Sequence, residues 1–168
     1  MVEFEIIGPF PIPTRTTPSG AKQILIKDFW ASLTDKSISS QKGCYVFFVG
    51  AGPGSLPWYV GKTKNQKGFE GEIFSADKIN KYHSVLMERR RSAPFFYFVK
   101  QTRHRGGSKK AIEELETYLI QTAFDRNEDL VNKQKLGKND WIIKGCVGGG
   151  KGSATKVSVA FRQIMGLD

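Results

Sequence analysis

Two apolar segments separated by a turn constrain this chain more than any other feature. Gly43-Cys44-Tyr45-Val46-Phe47-Phe48-Val49 is rich in β-branched and aromatic residues, and Trp58-Tyr59-Val60-Gly61 is apolar again. Between them Gly50–Pro57 is laden with glycine and proline. That order reads as a β-hairpin. Around it, Val2–Ile7 alternates like a strand before Gly8, Pro9, Pro11, Pro13 and Pro18 predict an extended loop. Phe29, Trp30 and Leu33 lie at helical spacing over Asp28–Leu33, and Ser75 with Asp77 opens a helix expected to reach about Arg91. Pro94–Val99 has strand length and composition. Ala111 to about Phe124 carries the apolar stripe Ile112, Leu115, Leu119 and Ala123. Trp141–Cys146 reads as a strand, and Ser153–Met165 as a helix on Val157, Phe161 and Ile164. The expectation is an α+β fold: a small, mainly antiparallel sheet flanked by helices. A length of 168 residues suits one domain.

Charge narrows the function. The chain carries 26 Lys and Arg against 16 Asp and Glu, a net +10. Thirteen of those basic residues, with only four acids, fall between Lys62 and Lys110. Positive charge gathered into one central block favours a polyanion-binding face over general solubility.

Several chemistries lack their residues. Cys44 and Cys146 show no Cys-x-x-Cys spacing for zinc and read as reduced core residues. With only His83 and His104, a His-rich metal site is not expected, and no Gly-x-Ser-x-Gly elbow appears. Gly145-x4-Gly150-Lys151 approaches a phosphate-binding loop, but Gly152 stands where the magnesium-binding hydroxyl belongs. No apolar run is long enough to span a membrane, and Met1–Phe10 lacks the basic-then-apolar pattern of a secretory leader, so a cytoplasmic location is expected.

Glu116 flanks the apolar stripe of its helix, with Glu113 and Glu114 as nearby carboxylates. On the preceding helix Lys78 and Tyr82, four apart, share a face. Read singly, these are ordinary solvated helix positions. Their order along the chain says more. Gly43-Cys44-Tyr45, then Tyr59-Val60-Gly61 followed by Lys62-Thr63-Lys64-Asn65, then Glu116 with Leu119-Ile120, then Leu130-Val131-Asn132, together resemble the GIY-YIG nuclease family. The likeness covers roughly 43–132 and is nearest to the nuclease half of the bacterial excision-repair incision enzymes. The segments 1–42 and 133–168 are then extensions packed on that core. The family's arginine position falls on Phe69, and its Arg-x3-Tyr pattern is met by Lys78-x3-Tyr82 only with 66–74 as an insertion.

The resemblance implies a divalent-metal-dependent DNA endonuclease. Glu116 would hold Mg²⁺ or Mn²⁺, and Tyr59 would activate the attacking water. A cation at Lys62, Lys78 or the metal would favour its phenolate, while Tyr45 would position Tyr59 or water. Lys78 would contact the scissile phosphate in place of the arginine, and Tyr82 and Asn132 would orient substrate or neighbouring groups. The nucleic acid, DNA or RNA, is expected on Lys62, Lys64, Lys78, Lys81, Arg89, Arg90, Arg103 and Arg105. Target selection falls to the flanking segments or to a protein partner. The absent arginine supports an alternative: a catalytically inactive GIY-YIG-like module that binds nucleic acid.

Overall fold

A computed structural model describes residues 2–63, 66–102, 108–132, 141–146 and 154–167. Along the chain run β1 (Val2–Pro11), β2 (Thr14–Thr16), β3 (Lys22–Ile24), α1 (Ile26–Ser32), β4 (Gly43–Gly50), β5 (Leu56–Lys62), α2 (Ala76–Glu88), β6 (Ala93–Gln101), α3 (Ser108–Arg126), β7 (Trp141–Ile143) and α4 (Lys156–Met165). The fold is α+β. Five strands form one sheet in the order β5-β4-β6-β1-β7, antiparallel except for the β1–β7 pair; β2 and β3 form a separate two-stranded ribbon.

Strand β4 lies inside the sheet with both faces covered, which explains its unbroken apolar sequence. Its alternate residues feed two cores. Cys44, Val46 and Phe48 join Val60 beneath α3 and α4, against Ile112, Leu115, Leu119 and Phe161. Tyr45, Phe47 and Val49 join Tyr59 on the other face, against Phe29 of α1, Tyr82 and Leu86 of α2, and Phe69 and Ile73 of the intervening turns. The segment 66–74, expected as an insertion in a basic loop, therefore packs Phe69 and Ile73 into the second core.

Three boundaries differ from the sequence reading. Strand β1 continues through Pro9 to Pro11, because a register shift between Ile7 and Phe10 absorbs the residue that cannot donate to the ladder. Helix α2 stops at Glu88 rather than near Arg91, and Ser75 precedes it without a side-chain capping bond. The last strand ends at Ile143, short of Cys146. The N-terminal segment is also more than a peripheral extension. β1 sits between β6 and β7, with Phe4 opposite Gln101 and Ile6 opposite Val99. Among the described residues no helix is long and apolar enough to cross a membrane.

Candidate functional site

The hairpin register decides which side chains meet. Tyr45 pairs with Gly61 and Phe47 with Tyr59, and a bulge follows in which Phe48 pairs with Pro57, leaving Trp58 without an opposite residue. Tyr45 and Tyr59 consequently project from the same face, rings stacked with centroids 6.2 Å apart. Tyr82 of α2 meets the Tyr59 ring edge-on at 5.8 Å and stacks on Phe47 at 4.4 Å. The three hydroxyls influence one another's ionisation. Those of Tyr45 and Tyr82 are buried and make no hydrogen bond of good geometry.

This packing explains both motif glycines. A Cβ on Gly61 would land on the Tyr45 hydroxyl and ring, and one on Gly43 would strike the Val99 carbonyl oxygen of β6. The Tyr45 ring is fully buried, so it has little room to retreat. Gly61→Ala is expected to destabilise the fold by ~1–3 kcal/mol, the usual scale of overpacking. The urea midpoint reads this, and an unchanged midpoint would mean that the ring moves freely.

Strand β5 is an edge of the sheet, and the chain after α3 covers part of it. Val131 N–H donates to the Trp58 carbonyl (3.0 Å), and Asn127 Nδ2 donates to the Pro57 carbonyl (2.8 Å). Asn132 accepts from Val60 N–H at 3.2 Å and donates to Val60 C=O at 2.7 Å. Its amide is thus committed to the backbone of β5, the strand that carries Tyr59.

Each lysine near the tyrosines has a carboxylate partner. Lys62 Nζ lies 2.8 Å from Glu116 Oε2 and 3.9 Å from Glu113 Oε1. Lys78 Nζ lies 2.8 Å from both the Glu72 carboxylate and the Glu72 carbonyl, buried, 5.4 Å from the centre of the Tyr45 ring. Lys81 Nζ lies 2.7 Å from Asp77 and 5.5 Å from the centre of the Tyr59 ring. Lys78 is therefore placed differently from the expectation. Its face of α2 turns inward, and Glu72, which no periodic pattern marks, holds its ammonium beneath Tyr45. Phe69, where the resemblance would put an arginine, is also internal: it stacks on Phe98 at 4.4 Å and meets Tyr45 edge-on at 6.4 Å.

The electrostatics follow from this pairing. Burial, then the charges of Glu116 and Asp77, push the Tyr59 phenol up to about 12, although the Tyr45 hydroxyl opposes this. The expected help from Lys62 and Lys78 is not realised, since both are neutralised by their partners. Burial raises Tyr45 and Tyr82 well above the ordinary tyrosine value too. For Lys62, burial acts to lower the pKa, but the Glu116 hydrogen bond and the Glu116 and Glu113 charges outweigh it. Unfolded tyrosine titrates near ~10, so the native fold retains these protons to higher pH than the unfolded chain does. Their contribution to stability is present below pH ~10 and is lost as pH rises through the folded values. Urea midpoints should fall above pH ~10, and a midpoint constant to pH ~12 would show that the three phenols titrate as if free.

A hard divalent cation takes oxygen ligands. Glu116 supplies a carboxylate at the β5 edge and Glu113 a second one turn earlier. No group of three or more His, Cys, Asp or Glu suited to a metal lies together among the described residues. These two carboxylates would suit Mg²⁺ or Mn²⁺ that keeps most of its waters. They do not make a closed protein cage.

Beyond the tyrosines, Arg89 ends α2 with its guanidinium 5.2 Å from the centre of the Trp58 ring. Arg90 is exposed nearby and contacts the Met87 carbonyl at 3.2 Å. Lys64, Arg103, Arg105 and the Gly150-Lys151 segment lie outside the described residues. Sequence reasoning missed Glu72, Asp77 and Lys109. The Asp77–Lys81 pair at i,i+4 was the one detectable signal, whereas Lys109 enters through a cavity beside Lys62. No family model, curated protein or solved structure matches this chain.

Proposed function

We propose that the chain is a divalent-metal-dependent endonuclease of the GIY-YIG type that hydrolyses phosphodiester bonds in DNA. One observation carries this reading. Tyr45 and Tyr59, from the two motif strands, share a face with Tyr82 of α2, and Glu116 lies close enough for its charge to act on Tyr59. When bound at Glu116, with Glu113 beside it, Mg²⁺ or Mn²⁺ supplies charge neutralisation at the phosphate and help for the leaving oxygen. The chain's own residues do the rest. Tyr59 Oη, in the small ionised fraction that has already given its proton to solvent, accepts the proton of the attacking water. Tyr45 packs against Tyr59 and, by filling the space over Gly61, fixes its position. Asn132 locks the β5 backbone at Val60. Lys62 and Lys81 are each paired with a carboxylate, so the free basic face lies with Arg89 and Arg90 along the end of α2.

Incubating supercoiled plasmid with the full chain tests this. Nicking is expected with Mg²⁺ or Mn²⁺, is lost in EDTA, and returns on adding excess metal. Salt-sensitive DNA binding without any nicking would sink the nuclease reading. It would favour the second reading, a nucleic-acid-binding module without catalysis. The buried Lys78–Glu72 pair and the internal Phe69 support that alternative, because both remove the cation that the family places against the phosphate.

A further inference from the structure

The three lysine–carboxylate pairs are built differently. Lys78 is anchored twice, to a carboxylate and a backbone carbonyl of Glu72, with both side chains about nine-tenths buried. Lys81–Asp77 is a solvated surface pair. Lys62 is intermediate. Its ammonium contacts carboxylates alone among the described residues, and its side chain is 20% exposed against 11% for Glu116. The pair is close and partly desolvated, yet no backbone group fixes the ammonium, and a lysine stem is flexible.

A cavity of about 310 Å³ adjoins it, lined by Lys62, Thr63, Lys109, Ile112 and Glu113. Glu113, 3.9 Å from the ammonium, borders this space. An ammonium leaving Glu116 on the Glu113 side therefore enters a cavity that already has a second lysine on its wall. The volume admits a phosphate with part of its sugar. Two lysines and the apolar Ile112 in the cavity's lining suit a nucleotide of the chain flanking the cleaved bond.

We propose that Lys62 is an exchangeable placeholder on Glu116: a divalent cation displaces its ammonium into this cavity, where Lys62 and Lys109 receive a phosphate of the nucleic acid. The inference rests on the nuclease reading above. Metal and polyanion then bind cooperatively, since the metal frees the cation that the phosphate needs. By linkage, the phosphate must favour the metal by the same factor. Without metal, the pair keeps the carboxylate occupied and the phosphate subsite one cation short.

Binding measurements test this without relying on turnover. Mn²⁺ affinity of the full chain is read from the free-Mn²⁺ electron paramagnetic resonance signal. Lys62→Met should tighten Mn²⁺ about tenfold by removing a competing and repelling charge, and Glu116→Gln should remove the site. Lys110→Met, which makes the same net-charge change on α3, should shift affinity less than about twofold. In a second arm, anisotropy of a short fluorescein-labelled DNA duplex is followed with and without Ca²⁺. Ca²⁺ should tighten the wild-type complex about fivefold, and both Lys62→Met and Lys109→Met should lose that gain. If Glu116→Gln abolishes Mn²⁺ binding while Lys62→Met leaves affinity unchanged or weaker, the placeholder is overturned and the metal site stands. Mn²⁺ binding indifferent to Glu116→Gln overturns the metal assignment and the placeholder with it. A Ca²⁺ gain that survives Lys62→Met overturns the phosphate subsite.

Discussion

Replacing Glu116 with glutamine is expected to reduce cleavage at least ~1,000-fold, the scale of losing several kcal/mol of charge stabilisation at the phosphate. The substitution keeps the shape of a side chain that is nine-tenths buried on α3, and Lys62 retains Glu113 within 3.9 Å. The fold should therefore hold, and duplex binding should not weaken, since one negative charge leaves the basic face. Single-turnover cleavage, read beside anisotropy on the same preparation, separates chemistry from binding. Cleavage at the wild-type rate would exclude Glu116 as the metal ligand and move the assignment to Glu113.

The hairpin was legible because both of its signals are local. A buried strand shows in β-branched and aromatic composition, and the turn shows in glycine and proline. The α+β class followed from the alternation of such strands with helical stripes. Which faces the tyrosines share was not legible, because one bulged residue reverses a side chain. Trp58 is that residue; Pro57 before it suits a bulge or a strand end but does not say which residue is the extra one. The place of β1 inside the sheet also depends on pairing with β6, about ninety residues away.

The site divides in the same way. Helical spacing correctly put Lys78 and Tyr82 on one face of α2, but tertiary packing made that face the buried one, with Phe47 stacked on Tyr82 and Glu72 holding Lys78. Glu72 lies among turns, where no period predicts its direction. Pattern accounts for one charge pair, Lys81–Asp77 at i,i+4, and not for the others: Lys62, Lys78 and Lys81 count as three positive charges in the sequence, yet each sits against a carboxylate in the fold. The basic block therefore presents less free charge around the tyrosines than its composition suggests.

That neutralisation sharpens the test of Tyr59. Tyr59→Phe is expected to slow cleavage ~100–10,000-fold, the usual scale for losing a general base, and Tyr45→Phe far less. Both variants keep the aromatic packing. Tyr45→Phe also removes a buried hydroxyl that makes no hydrogen bond of good geometry, so its cost to stability should be small. With the Tyr59 phenol held up to about 12, only a small fraction is ionised near neutral pH. The wild-type rate should then climb with pH between pH ~6 and ~9, by up to about tenfold per unit while the phenol stays mostly protonated, since the reactive fraction grows in that proportion below the pKa. Glu116 is one of the charges holding the phenol up, so a cation there shifts the whole profile toward lower pH without changing its slope. Tyr59→Phe should flatten the profile, whereas Tyr45→Phe should keep its slope. Single-turnover rates across that range decide between the two. If both variants lose little and keep the same slope, neither phenol is the proton acceptor, and the attacking water loses its proton elsewhere.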